Sequence, residues 1–160
     1  MKPTTRREFL AAAAAGGVCM PTLAAPAARG DVVRWPEVTL LDGARWTPQP
    51  GRAQVVVFWS ESCPFCRRHN AHIDKLWRAA RDGRGPQVLT VSRDRDPAVV
   101  RRYLADKGYG FPVSLDHAAL AAALAARNVI PLTVVVDREG RLKQSFAGEM
   151  FEEDVMELLA

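Results

Sequence analysis

The run QVVVFW, residues 54–59, constrains the fold more than any other stretch. It offers no alternating polar face, so a strand here needs apolar cover on both sides, as the central strand of an α/β sheet has. A helix is expected from about Pro64. Ile73, Leu76, Trp77 and Ala80 fall at i, i+3, i+4 and i+7 and give it one apolar face, and Asp82-Gly83 ends it. QVLTVS (87–92) is the next strand. Asp96 caps and Pro97 starts a second helix, which carries Val100, Tyr103 and Leu104 and stops near Gly108. FPVSL (111–115) reads as a short strand, and Asp116 as the cap of an Ala-rich helix over 117–127 with Asn128 as its stop. LTVVVD (132–137) and RLKQSF (141–146) flank the turn REG as an antiparallel hairpin, and a last helix covers about 151–159. Upstream, VTLLDGARWTPQPG reads as two short strands with a turn at Asp42-Gly43. Strands alternating with helices predict parallel β-α-β units with an antiparallel hairpin at one edge.

The first 28 residues read as an address rather than as part of that domain. Arg6-Arg7 is followed by Phe9-Leu10 and by a weakly apolar Ala/Gly run to Val18; Pro21 breaks the segment, and AAPAA (24–28) offers a small-residue cleavage site after Ala27. The motif resembles a twin-arginine export signal, which implies a periplasmic product; an anchor formed by an uncleaved signal is the lesser expectation. Residues 29–160 form the expected domain. Cys19 lies within the signal behind Val18, where a lipoprotein signal needs a small residue, so it is expected to be discarded with the signal. The formal net charge is +4; without Lys2, Arg6, Arg7 and Glu8 it is +2, from 19 basic and 17 acidic residues. That balance and the lack of a basic run with interleaved aromatics argue against nucleic acid.

Cys63 and Cys66 stand just behind the apolar run, and His69 and His72 continue the spacing of three. A single metal ion cannot collect all four. Each step of three along a helix turns the side chain by about 300°, so His72 points opposite to Cys63 and lies roughly 13 Å along the axis. A structural disulfide is a weak reading as well, because closing so short a loop removes little entropy from the unfolded chain. A reactive thiol couple fits the local physics. Cys63 falls where strand gives way to helix, Pro64 suits the first helical position, and the first-turn N–H groups favour negative charge on the Cys63 sulfur. Arg67 and Arg68 add positive charge nearby. Cys66, one turn on, is expected to be the less exposed thiol.

VVVFWSESCPFCRRH, together with NVIPLTVVVDREGRL sixty-odd residues later, resembles the signature of the thioredoxin superfamily. VLTVSRDRDPAVVRRYLADKGYGFPVSLD and VTLLDGARW resemble the insertion and the N-terminal hairpin of its TlpA/ResA-like periplasmic thiol reductases. The resemblance covers roughly residues 33–160. It implies a thioredoxin-like fold: a central mixed sheet flanked by helices, with an N-terminal hairpin and an inserted βα unit. It also implies a cis-proline, Pro131, packed against the cysteine pair. The sequence departs from the family pattern at several points. Ser62 stands where Trp commonly precedes the first cysteine. Val57 stands where thioredoxin has a buried acid. His69 and Ala71 stand where TlpA-like chains often have Glu and Pro. His69 is then a candidate proton acceptor for Cys66, since an imidazole holds or releases a proton near neutrality, with a role-free surface histidine as the plainer reading. Glu61 is a weaker candidate. His72 and His117 are expected at the surface.

The expected chemistry is thiol–disulfide exchange, Cys63 attacking a partner disulfide and Cys66 resolving the mixed disulfide. The resemblance implies that Pro131 and the backbone of Ile130 dock an extended partner segment, with Trp59, Pro64 and Phe65 at an apolar rim; Trp59 serves equally well as core. Expected partners are periplasmic proteins bearing thiols or disulfides, with a membrane thiol-electron carrier as reductant. A monomer without cofactor or metal is expected. An oxidant of secreted proteins and a periplasmic copper chaperone are the alternatives, the latter because two thiolates suit Cu(I).

Overall fold

The computed structural model describes residues 28–160. The twin-arginine segment, the cleavage site after Ala27 and Cys19 lie outside the described residues. The main sheet has five strands in the order β5-β4-β3-β6-β7. These are β3 (Gln54–Trp59), β4 (Gln87–Ser92), β5 (Val113–Ser114), β6 (Leu132–Val136) and β7 (Leu142–Ala147). β1 (Val38–Thr39) and β2 (Arg45–Trp46) form a separate antiparallel pair around the Asp42-Gly43 turn. β3 runs parallel to β4 from Gln54↔Gln87 to Trp59↔Ser92 and antiparallel to β6 from Gln54↔Val136 to Phe58↔Leu132. β4 and β5 are parallel, and β6 and β7 close the other edge as an antiparallel hairpin.

Every residue of β3 is buried, and its two faces feed two apolar clusters with the period of two that a strand imposes. Val56 and Phe58 face Val38 and Trp46 of the N-terminal hairpin and Leu120 and Leu124. Val55, Val57 and Trp59 face the other side, where α1 (Pro64–Ala80) supplies Cys66, Ile73 and Leu76, and α2 (Pro97–Lys107) supplies Val100 and Tyr103. Val155 of α4 (Glu152–Met156) completes that layer. The Asp96 carboxylate accepts the Ala98 N–H at the start of α2, and Gly108 ends it at φ 67°, a left-handed conformation that glycine adopts without strain. Gly110 meets a different demand. A Cβ there would sit 2.5 Å from the Trp77 ring, so only glycine lets this loop lie against α1.

The later elements are shorter than the sequence pattern predicts. β5 is confined to Val113–Ser114. The Ala-rich helix α3 spans His117–Ala123 rather than 117–127. Its only large anchors in the core, Leu120 and Leu124, are one turn apart, and the chain leaves the helix through Ala125 at φ 49°. Asp116 does not cap it. Its carboxylate instead accepts the Thr39 N–H at 2.9 Å and the Ser114 hydroxyl at 3.2 Å, joining the N-terminal hairpin to β5. The last helix begins at Glu152 and tightens into a single 3₁₀ turn over Glu157–Leu159. No helix of the described residues is long and apolar enough to cross a membrane.

The register fixes where chemistry can occur. Trp59 ends β3 beside Ser92 at the end of β4. Because β6 is antiparallel to β3, its first residue, Leu132, lies opposite Phe58. The Pro131 turn, the start of α1 and the 93–96 loop therefore converge on one end of the sheet.

Candidate active site: a dithiol at a helix start

Between β3 and α1 the chain makes a tight turn in which Cys63 N–H donates to Ser60 O at 3.2 Å. Asp94, just beyond β4, pins this turn. Its carboxylate accepts the Ser60 hydroxyl at 2.9 Å, the Glu61 N–H at 2.8 Å and the Ser92 hydroxyl at 2.7 Å. Cys63 then occupies the N-cap position in extended conformation, with Pro64 opening the helix and no acidic residue in its first turn. Its sulfur does what a Ser or Asp oxygen ordinarily does there: Sγ accepts the Cys66 N–H at 3.3 Å. Negative charge on Cys63 thus meets the positive end of α1.

The second thiol has the opposite environment. Cys66 is 0% exposed. Burial, followed by its hydrogen bond with Cys63, pushes its pKa up to about 12. Cys63 is half-buried, and the two thiols are unbridged. Cys63 and Ile130 both pack against the apolar cluster that contains Cys66. The Ile130–Pro131 peptide bond is cis, and Pro131 O accepts the Gly148 N–H at 2.8 Å.

Several residues singled out in the sequence have different surroundings from those expected. Trp59 is fully buried, with its ring 5.2 Å from that of Tyr103, so it is core and cannot line an exposed rim. Phe65 is the exposed apolar residue beside the thiols, at 58%, with the Arg68 guanidinium over its ring. Pro64 is exposed and Pro131 buried; half-buried Ile130 follows Val129, an exposed apolar residue that the sequence did not single out. The two arginines are not unpaired cations. Arg67 pairs with Glu61 at 2.5 Å and Arg68 with Glu149 at 2.6 Å, so neither Glu61 nor the arginines are merely solvated. Among the described residues no group of three or more His, Cys, Asp or Glu is placed to hold a metal.

His69 is not a surface residue; it is 0% exposed. Its Nδ1 accepts the Met150 N–H at 3.3 Å, which leaves the proton on Nε2, and Nε2–H donates to Thr133 Oγ1 at 3.0 Å. Burial, and secondarily the neighbouring His72, lower its pKa to about 4. His72 and His117 are half-buried: His72 Nδ1 donates to Met150 O at 3.1 Å, and the His117 ring sits edge-on to Phe58. A stability prediction follows from His69. As pH falls from 6.5 towards 4 the unfolded chain takes up a proton that the folded chain refuses, so folding loses up to about 3 kcal/mol across that window. Urea denaturation at pH 7 and pH 4 checks this: His69→Gln should lose less stability on acidification than the parent chain, and equal losses contradict it.

Two contributors escaped the sequence reading. Asp94 sits in a run of alternating charge, RDRD, in which only Asp96 carries a helix-cap signal; the parallel pairing of β3 with β4 is what brings it to the thiol turn. Met150 acts through its backbone, which no side-chain pattern announces.

Comparison with known proteins agrees with this geometry. The family model described as Redoxin matches residues 34–159. The thiol-disulfide oxidoreductase ResA of Halalkalibacterium halodurans is 24% identical over 109 residues, covering 68% of this chain and 61% of that protein. ResA of Geobacillus kaustophilus is 27% identical over 107 residues, covering 66% and 60%. The chain thus spans about three fifths of the length of these curated relatives. Among solved structures, a thiol:disulfide interchange protein of the thioredoxin family from Chlorobium tepidum superposes with a TM-score of 0.73 at 20% identity, over 82% of this chain and 95% of that one. StoA from Bacillus subtilis gives 0.66 at 18% identity, over 78% and 95%. The mixed sheet with its flanking helices and N-terminal hairpin is the thioredoxin fold.

Proposed function

The chain belongs to the Redoxin family, as a TlpA/ResA-like member of the thioredoxin superfamily, and from that premise we propose that it is an exported thiol–disulfide oxidoreductase that reduces disulfides of partner proteins. The observation that carries this reading is the asymmetry of the dithiol: Cys63 Sγ receives a helix-terminal N–H while Cys66 is sealed behind it.

The exchange has two steps. The Cys63 thiolate attacks one sulfur of a partner disulfide, forming a bond to it and breaking the partner S–S bond; the departing sulfur takes up a proton. Cys66 then gives up its proton and attacks Cys63 Sγ. The Cys63–Cys66 disulfide forms, the mixed disulfide breaks, and the second partner sulfur leaves and is protonated. The partner gains two electrons and two protons, and the protein ends oxidised. A membrane thiol-electron carrier supplies the electrons for the next cycle. The partner segment docks extended along the Ile130–Pro131 backbone, with Phe65 and Pro64 as apolar rim. Residues 1–28 act as a twin-arginine signal, and residues 29–160 work in the periplasm as a monomer. The names of the relatives support the activity, and the TlpA/ResA-like architecture supports the reducing direction.

Reduction of insulin by the purified domain, with a dithiol as electron source, tests the reading. Turnover above the uncatalysed rate, with no copper retained through purification, is the expected result. Stoichiometric retention of Cu(I) without turnover replaces the reading with a copper carrier.

A further inference from the structure

His69 stands one turn beyond the buried thiol, yet it is bonded away from it. A nitrogen that accepts the Met150 N–H has committed its lone pair, and the other nitrogen spends its proton on Thr133. Neither can take the Cys66 proton without breaking a bond that holds the site together. What these bonds join is informative. Thr133 lies two residues beyond Pro131 on β6, and Met150 lies two residues beyond Gly148, whose N–H donates to Pro131 O. From Cys66 through His69, Met150 and Gly148 to Pro131, covalent and hydrogen bonds form one closed path between the dithiol helix and the partner-docking turn. His69 is hydrogen-bonded to both sides of that path, to Thr133 on β6 and to the Met150 N–H of the strap.

We propose that His69 is a positioning residue: by tying α1 to β6 and to the 148–150 strap, its neutral ring sets the Pro131 turn at the height at which a partner strand can reach Cys63. The proposal rests on the oxidoreductase reading for its functional half. It separates two roles that the spacing alone confuses. A proton acceptor for Cys66 affects every disulfide alike. A positioning tie affects only substrates that need the Pro131 turn. A protein disulfide uses that turn, whereas a small aryl disulfide reaches Cys63 without it. The strap has further ties to α1, with His72 holding Met150 O, Arg68 holding Glu149 and Lys75 holding Glu152, so loss of His69 loosens it without releasing it. The titratable groups that act on the ring are His72 of its own helix and Glu149 of the strap; Thr133 on β6 is neutral.

The test uses His69→Leu, His69→Gln and Thr133→Val in the full domain, with insulin and dithiobis(nitrobenzoate) as substrates. His69→Leu should raise KM for insulin about tenfold while kcat stays within about twofold, and the aryl disulfide should react at nearly the parent rate. His69→Gln, whose amide can reproduce one of the two bonds, should recover part of the loss. Thr133→Val should reproduce the KM effect with the imidazole still present. Equal loss with both substrates, or a fall in kcat alone, overturns the proposal. Amide hydrogen exchange at Gly148 decides the structural half independently of turnover. Protection at that amide should drop in His69→Leu, and unchanged protection overturns the proposal even if every variant is active. If the parent chain turns over neither substrate, the oxidoreductase reading fails, and the amide measurement still judges the tie.

Discussion

Replacing Cys63 by serine should bring catalysed disulfide reduction down to the uncatalysed rate, a loss on the order of a thousandfold or more. Oxygen in place of sulfur leaves no nucleophile able to attack a disulfide at neutral pH. It leaves the fold intact for a specific reason. Serine is itself a favoured N-cap residue, and its hydroxyl oxygen can accept the Cys66 N–H that the sulfur accepts now. Loss of turnover with an unchanged melting temperature is therefore the expected pair of results, read by insulin reduction and thermal denaturation. Residual turnover of Cys63→Ser above background, or unfolding of the variant, contradicts the assignment of nucleophile and cap to one sulfur.

The second large effect concerns pH. Resolution of the mixed disulfide requires Cys66 as thiolate, and this thiol titrates at about 12 in the reduced site. The hydrogen bond with Cys63 contributes to that value and disappears once Cys63 is disulfide-linked, but burial, the largest cause, remains. Among the described residues the side-chain hydrogen bond of Cys66 is the one with Cys63, with no acid or imidazole as partner. Val57 lies in the same apolar cluster, and His69 is engaged elsewhere. The rate of release from the mixed disulfide should then rise about tenfold per pH unit from pH 6 to 9, because the thiolate fraction of so weak an acid grows tenfold per unit. Quenched-flow trapping with acid separates the two steps. A flat profile for release means that a base beside Cys66 takes the proton, contrary to the packing described.

The β-α-β order, the two faces of β3 and the position of the dithiol were all legible in the sequence. Each rests on local signals: an unbroken apolar run, a helix face at i, i+3, i+4 and i+7, and a proline at the first helical position. Helix α3 was overestimated because alanine favours helix at every position, yet Leu120 and Leu124 are the only large side chains that anchor that segment in the core. Asp116 was assigned to a cap on local grounds, and a partner 77 residues away, the Thr39 amide, claimed it. Trp59 was ambiguous because a residue at the end of a strand can face core or rim, and only the packing of Tyr103 and Phe111 against it decides. His69 shows the same limit most clearly. Helical spacing places it one turn from Cys66, but whether its nitrogens face the thiol or the neighbouring strand depends on β6 and the Met150 backbone, which approach from 64 and 81 residues away.

The most direct test of the whole account is a trap. The Cys66→Ala domain, reduced and mixed with a disulfide-bearing protein, should accumulate a mixed disulfide that peptide mass spectrometry maps to Cys63. If no adduct forms, or if the adduct of a Cys63→Ala domain on Cys66 forms as fast, Cys63 is not the attacking sulfur and the account of this site is wrong.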